Sequence, residues 1–145
     1  MEVLECGTCG HIEFGEAPER CLVCHSAKDV FKANAGAIKR PIDPGELTEA
    51  ERKHIPVVTL ARSGTAAAPS LTVQVTVGEI EHVMQEKHFI RYLDFYVGHK
   101  FASRVWLSYN LCRPMATLTL AAASATVQVI ENCNLHGNWL TEATI

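Results

Sequence analysis

Residues 71–100 read LTVQVTVGEIEHVMQEKHFIRYLDFYVGHK, and this stretch decides the fold. Its first run, Leu71–Val77, alternates apolar and polar residues. Its second, His88–Val97, is rich in aromatic and β-branched residues, and both are strand signatures. The same signal recurs on either side: VVTL at 57–60, RVWLSY at 104–109, ATLTL at 116–120, TVQVI at 126–130 and NWLTEA at 138–143. The connections ARSGTAAAPS, VGHK, NLCRP and AAASA are too short for crossover helices, so the sheets are expected to be antiparallel. Six or seven such strands suggest a sandwich, with a barrel as the alternative.

The whole chain has 145 residues and a formal net charge of -3. Its lysines and arginines are scattered and form no basic stripe, so nucleic acid is not an expected partner. No charged segment followed by an apolar one opens the chain, and no run of apolar residues is long enough to span a bilayer. A cytoplasmic protein without membrane contact is therefore expected. In such a reducing compartment closely spaced cysteines hold metal or do redox chemistry rather than form structural disulfides.

Four of the six cysteines lie in the first 24 residues. Cys6, Cys9, Cys21 and Cys24 make two CxxC pairs, CGTC and CLVC, each able to fill two corners of a tetrahedron around iron or zinc. Few apolar side chains surround them, so metal must supply much of the folding free energy of this segment. The expected division is a metal module over residues 1–35 and a β-domain over 36–145. The stretch CGTCGHIEFGEAPERCLVCHSAKDVFK resembles the rubredoxin-like domain of rubrerythrins, in which four thiolates hold an electron-carrying iron. It departs from that pattern at Leu22, usually proline, and at His25, where glycine is common. His11 and His25 are expected on the surface. Residues 26–50 read as linker and loop, except that Thr48 and Glu51 have capping-box spacing and start a helical turn over Glu49–His54, ahead of Pro56.

The β-domain carries a second set of candidate ligands. Cys133 and His136 lie in CNLHG, His54 in KHIP, and His82 and His88 bracket HVMQEKH. One thiolate with several imidazoles suits iron, copper or zinc, and a sandwich gathers its loops at one end, where such residues can converge.

The fragments KHIPVV, HVMQEKHFI and CNLHGNW resemble, in order and spacing, the superoxide reductases of the desulfoferrodoxin and neelaredoxin family over residues 36–145. The resemblance implies an immunoglobulin-like sandwich of seven strands. It implies that His54, His82, His88 and His136 are the equatorial ligands of a non-haem iron and that Cys133 is the axial ligand. It also implies one-electron reduction of superoxide to hydrogen peroxide, a position left open for the anion, and Lys53 as the catalytic residue that attracts it. The family often has glutamate before that lysine, whereas this chain has Arg52, with Glu51 one residue earlier.

A rubredoxin-type or other electron donor would be the partner, the four-cysteine site a possible relay, and a homo-oligomer of two or more chains the expected assembly. The alternative is a non-catalytic redox carrier or sensor with a structural zinc knuckle. Of the remaining residues, His99 is expected to be exposed and Cys112 to be a small buried residue. Tyr92, Phe95, Trp106 and Tyr109 are expected in core or interface, and Trp139 beside the metal site.

Overall fold

The computed structural model describes residues 1–145 and is built mainly from strands. The N-terminal segment forms a small antiparallel sheet from β1 (Val3–Cys6), β2 (Ile12–Phe14) and β3 (Phe31–Ala33), in the order β2-β1-β3. Next come a two-residue strand, β4 (Ile38–Lys39), and the only α-helix, α1 (Glu49–His54). Seven longer strands complete the chain: β5 (Pro56–Gly64), β6 (Pro69–Val77), β7 (Ile90–Val97), β8 (Lys100–Trp106), β9 (Met115–Leu120), β10 (Thr126–Cys133) and β11 (Gly137–Thr144). They form a sandwich, with β4-β11-β10-β7-β8 in one sheet and β5-β6-β9 in the other. All seven pair antiparallel, and β4 alone joins in parallel, against β11. No helix is long and apolar enough to cross a membrane.

The strand patterns follow from which faces are covered. In β6, Leu71, Val73, Val75 and Val77 point into the sandwich while Thr72, Gln74 and Thr76 alternate outward, so the strand keeps a clean period of two. In β7 the five residues Tyr92–Tyr96 are all buried. Leu93 and Phe95 enter the main core with Val127 and Val129 of β10. Tyr92, Asp94 and Tyr96 face the other way, beneath the four-cysteine segment, and Tyr96 packs with Ile12, Ile38 and Ile130. A strand covered on both faces loses its alternation, which is why 88–97 reads as one continuous run.

That second face seats the metal module. Tyr96 donates its hydroxyl to the Ile12 carbonyl at 2.7 Å. Asp94 accepts two bonds from Arg104, at 2.6 and 2.8 Å, and lies 3.5 Å from His11 Nδ1; His11 Nε2 is 2.9 Å from Glu13. His11 is therefore wholly buried, not on the surface as expected from the sequence. Its partner Asp94 lies across the interface, far along the chain, and makes the burial tolerable. Burial alone would lower the His11 pKa, but Asp94 and Glu13 together raise it above the ordinary value.

The segment 26–50 is also more ordered than its composition suggests, holding β3, β4 and a short 3-10 turn at Lys28–Val30. Among the aromatic residues, Tyr92 and Phe95 are core, whereas Trp106 is exposed and Tyr109 sits at the surface. Cys112 is half-buried at the edge of the main core. His99 is half-buried too, near Glu142.

Candidate metal centres

The first centre is built from two matching turns. In each, the backbone N–H four residues after the first cysteine donates to that cysteine's carbonyl: Gly10 to Cys6 and His25 to Cys21, both at 2.9 Å. Each turn is closed by a second bond at 2.8 Å, from Cys6 N–H to His11 and from Cys21 N–H to Ser26. The left-handed backbone this requires falls on Gly10, with φ +78, and on His25, with φ +66. The four sulfurs lie within 4.8 Å of one another, with Cys6 and Cys24 at 3.7 Å and Cys9 and Cys21 at 3.6 Å. The Ser26 hydroxyl, 3.2 Å from Cys24 Sγ, and the Ser26 backbone bring the Cys24 thiol down to about 6, while burial pushes Cys9 up. Four converging cysteines with no disulfide among them fit a tetrahedral thiophilic metal.

The second centre gathers side chains from three places at one end of the sandwich. His54 is the last residue of α1, whose start carries the expected capping box: Glu51 N–H donates to Thr48 Oγ1 at 3.2 Å and Thr48 N–H to Glu51 Oε1 at 2.8 Å. His54 Nδ1 donates to the Ala50 carbonyl one turn back, at 2.8 Å, which leaves Nε2 as the lone-pair nitrogen. His82 is oriented in the same manner, Nδ1 donating to the Val83 carbonyl at 2.7 Å.

The loop that carries His82 and His88 leaves β6 at Gly78, with φ +86. A Cβ there would clash with the Ile80 carbonyl and stand 2.7 Å from the Lys53 carbonyl oxygen, so glycine lets this loop lie against the end of α1. The third contribution is the β10–β11 turn. Its Asn134 donates to the Lys87 carbonyl at 3.0 Å and accepts from Phe89 N–H at 2.9 Å, which fixes the turn to the segment bearing His88. Asn134 is a positioning residue that sequence reasoning passed over; its only signal was its place next to Cys133.

The four imidazoles form a closed square. Neighbouring ring centroids are 4.8 Å apart for His54–His82, 4.6 Å for His82–His88, and 5.0 Å for both His88–His136 and His136–His54; the His54–His88 diagonal is 6.4 Å. Each neighbouring pair is close to perpendicular. Cys133 is buried, with Sγ 3.7 Å from His136 Nδ1, and the donor atoms of His54, His88, Cys133 and His136 lie within 4.8 Å of one another. His82 joins through its rings to His54 and His88. Trp139 stacks on His54 at 5.3 Å.

Three atoms bear on whether a metal fits. The Nε2 atoms of His54, His82 and His88 are buried with no hydrogen-bond partner, a cost that proteins avoid unless something else satisfies the nitrogen. Burial lowers the pKa of all three, that of His82 to about 4, so the rings are neutral and free to ligate. Burial also raises Cys133, against the N–H groups of Leu135 and His136 that favour its thiolate. A cation beside it would turn the balance.

A family model described as Desulfoferrodoxin matches residues 46–142. The chain belongs to the desulfoferrodoxin family. A desulfoferrodoxin from Syntrophotalea carbinolica is 31% identical over 149 residues, covering 98% of this chain and 96% of the relative. Among solved structures, a superoxide reductase in the oxidised state is 25% identical with a TM-score of 0.58, over 75% of this chain and 96% of its own. A superoxide reductase (neelaredoxin) from Ignicoccus hospitalis is 29% identical with a TM-score of 0.52, over 63% and 79%. The family match spans all five converging residues of the second centre and the sandwich strands from β5 into β11, but not β4, while the full-length relative also covers the four-cysteine segment.

Two residues near this second centre are committed elsewhere. Glu51 turns its carboxylate to the N–H groups of Thr48 and Ile42, which hold its pKa below the usual range. Lys53 is half-exposed and pairs with Glu49 at 3.2 Å.

Proposed function

We propose that this chain is a superoxide reductase in which His54, His82, His88, His136 and Cys133 hold iron and Lys53 attracts the anion. The observation that carries the reading is the convergence of the Cys133 sulfur with donor atoms of His54, His88 and His136, beside the buried, partnerless Nε2 atoms of His54, His82 and His88. Iron bound there would supply one electron to superoxide, with hydrogen peroxide as the product after proton uptake. The protein's part is to keep three imidazoles neutral, to fix two of their tautomers through the Ala50 and Val83 carbonyls, and to hold the Cys133 sulfur in a dry pocket. Lys53, one residue before His54, adds positive charge that would raise arrival rates of a small anion.

The four-cysteine site is proposed as a relay that takes single electrons from a rubredoxin-type or other donor. A compact route supports this. A Cβ on Gly10 would lie 3.7 Å from the Tyr92 hydroxyl, Tyr92 pairs with Asn132 across β7 and β10, and Asn132 precedes Cys133. The test is pulse-generated superoxide mixed with the reduced, iron-loaded protein. Consumption with one peroxide formed per superoxide and no dioxygen supports the reading; dioxygen release would make the activity a dismutase, and no consumption would sink it. In the same protein, Cys133→Ser should abolish the sulfur-to-iron absorption of the oxidised second centre and leave the four-thiolate spectrum intact. An unaltered spectrum would remove Cys133 from the ligand set.

A further inference from the structure

Beside the second centre lies a cavity of about 410 Å³ whose lining includes His54, His136 and Trp139 together with Lys39, Arg40 and Glu51. Lys39 reaches it through strand pairing: β4 runs parallel to β11 with Lys39 opposite Trp139, two residues past the end of the His136 turn at Gly137. Its stem passes over that turn, Cε standing 3.8 Å from where a Gly137 Cβ would be. A side chain at 137 would crowd it.

The charges around the site are unequally committed. Lys53 is held by Glu49 and Arg52 by Glu79, at 3.2 and 3.4 Å. Lys39 and Arg40 take part in no ion pair. The one carboxylate on the cavity wall, Glu51, is occupied by two backbone N–H groups. Two free cations thus face one hydrogen-bonded carboxylate in a concave space bordered by apolar and aromatic side chains, where field lines concentrate.

We propose that Lys39, supported by Arg40, is an anion-recruiting residue of this centre and that small monovalent anions reach the His54–His136 side of the site through its cavity. The inference rests on the superoxide reductase reading for its substrate, though not for its geometry.

Azide is a suitable probe, being a small monovalent anion that ligates ferric iron. The experiment titrates azide into the oxidised, iron-loaded full chain and follows the shift of its charge-transfer absorption at low and high ionic strength. Lys39→Met keeps most of the stem and removes the charge. It should weaken azide binding roughly 3- to 10-fold at low salt and flatten the salt dependence, while Lys39→Arg binds as the parent does. Arg40→Ala should show the same trend to a smaller extent. Superoxide consumption rates should fall in parallel.

Equal azide affinity and salt slope in Lys39→Met and the parent, with the iron spectrum intact, would overturn the proposal. So would equal losses in Lys39→Met and Lys39→Arg, because the effect would then come from packing over Gly137. If the parent binds azide in a Lys39-dependent way yet does not consume superoxide, the anion site stands and the proposed enzyme activity falls.

Discussion

At the scale of single residues, His25 is the most informative departure. It occupies the left-handed position that closes the second CxxC turn, with φ +66, where its counterpart in the first turn is Gly10. An L side chain there costs about 1–2 kcal/mol relative to glycine. Replacing His25 by glycine should therefore stabilise the metal-loaded module by about 1 kcal/mol, after allowing for the greater freedom of glycine in the unfolded chain. Thermal or denaturant unfolding followed through the four-thiolate absorption measures this. A destabilised variant would mean that the imidazole makes a compensating contact. The same residue was legible in the sequence as a departure from the rubredoxin-like pattern because the CxxC turn is local, closed within the six consecutive residues Cys21–Ser26. His11 was not legible, since its burial depends on Asp94 and Arg104, which the chain reaches only after half the sandwich has been laid down.

At the scale of elements, α1 is the piece most fully specified by its own sequence. Thr48 and Glu51 close the capping box, Pro56 bars continuation, and the helix spans the expected Glu49–His54. Six residues are too few for a helix to stand alone, so the cap matters for holding His54 in place. Thr48→Ala should cost about 1 kcal/mol and weaken metal retention at the second centre, measured by chelator-driven iron loss. The cap also sets a pH dependence. Glu51 has a lowered pKa, through the Thr48 and Ile42 N–H groups, so its contribution is present above the ordinary carboxylate pKa and is lost as pH falls through its folded value. Glu51→Gln should reduce the acid sensitivity of iron retention below about pH 4.5; an identical acid profile would assign that sensitivity to the histidine ligands alone. The strands β5 to β11 were legible for a related reason, each carrying four or more residues of pattern. The strands β1 to β4 were not, because two to four residues hold too little periodicity and their pairing is decided by distant partners.

At the scale of the whole molecule, the five-stranded sheet works on both faces, one lining the sandwich core and the other seating the metal module. The seat is polar at its centre: Asp94 serves both Arg104 and His11, all three nearly inaccessible to water. Removing Asp94 would leave a buried guanidinium without its partner, a loss of about 3–5 kcal/mol. Asp94→Ala should thus release the module from the sandwich while leaving both metal centres loaded. Faster proteolysis between residues 35 and 48, with unchanged spectra of both centres, is the expected result. Retained protection would show that Tyr96, Ile12 and Ile38 suffice to dock it.

The pairing of β4 with β11 bears on biosynthesis. Ile38 and Lys39 leave the ribosome about a hundred residues before Asn138 and Trp139, the residues they pair with. The four-cysteine turns close within the first 26 residues and can capture metal early. Their docking surface, by contrast, is incomplete until the last strand emerges. Nascent chains should therefore carry a loaded but tethered N-terminal unit through most of translation, and a stall before residue 137 should leave it undocked.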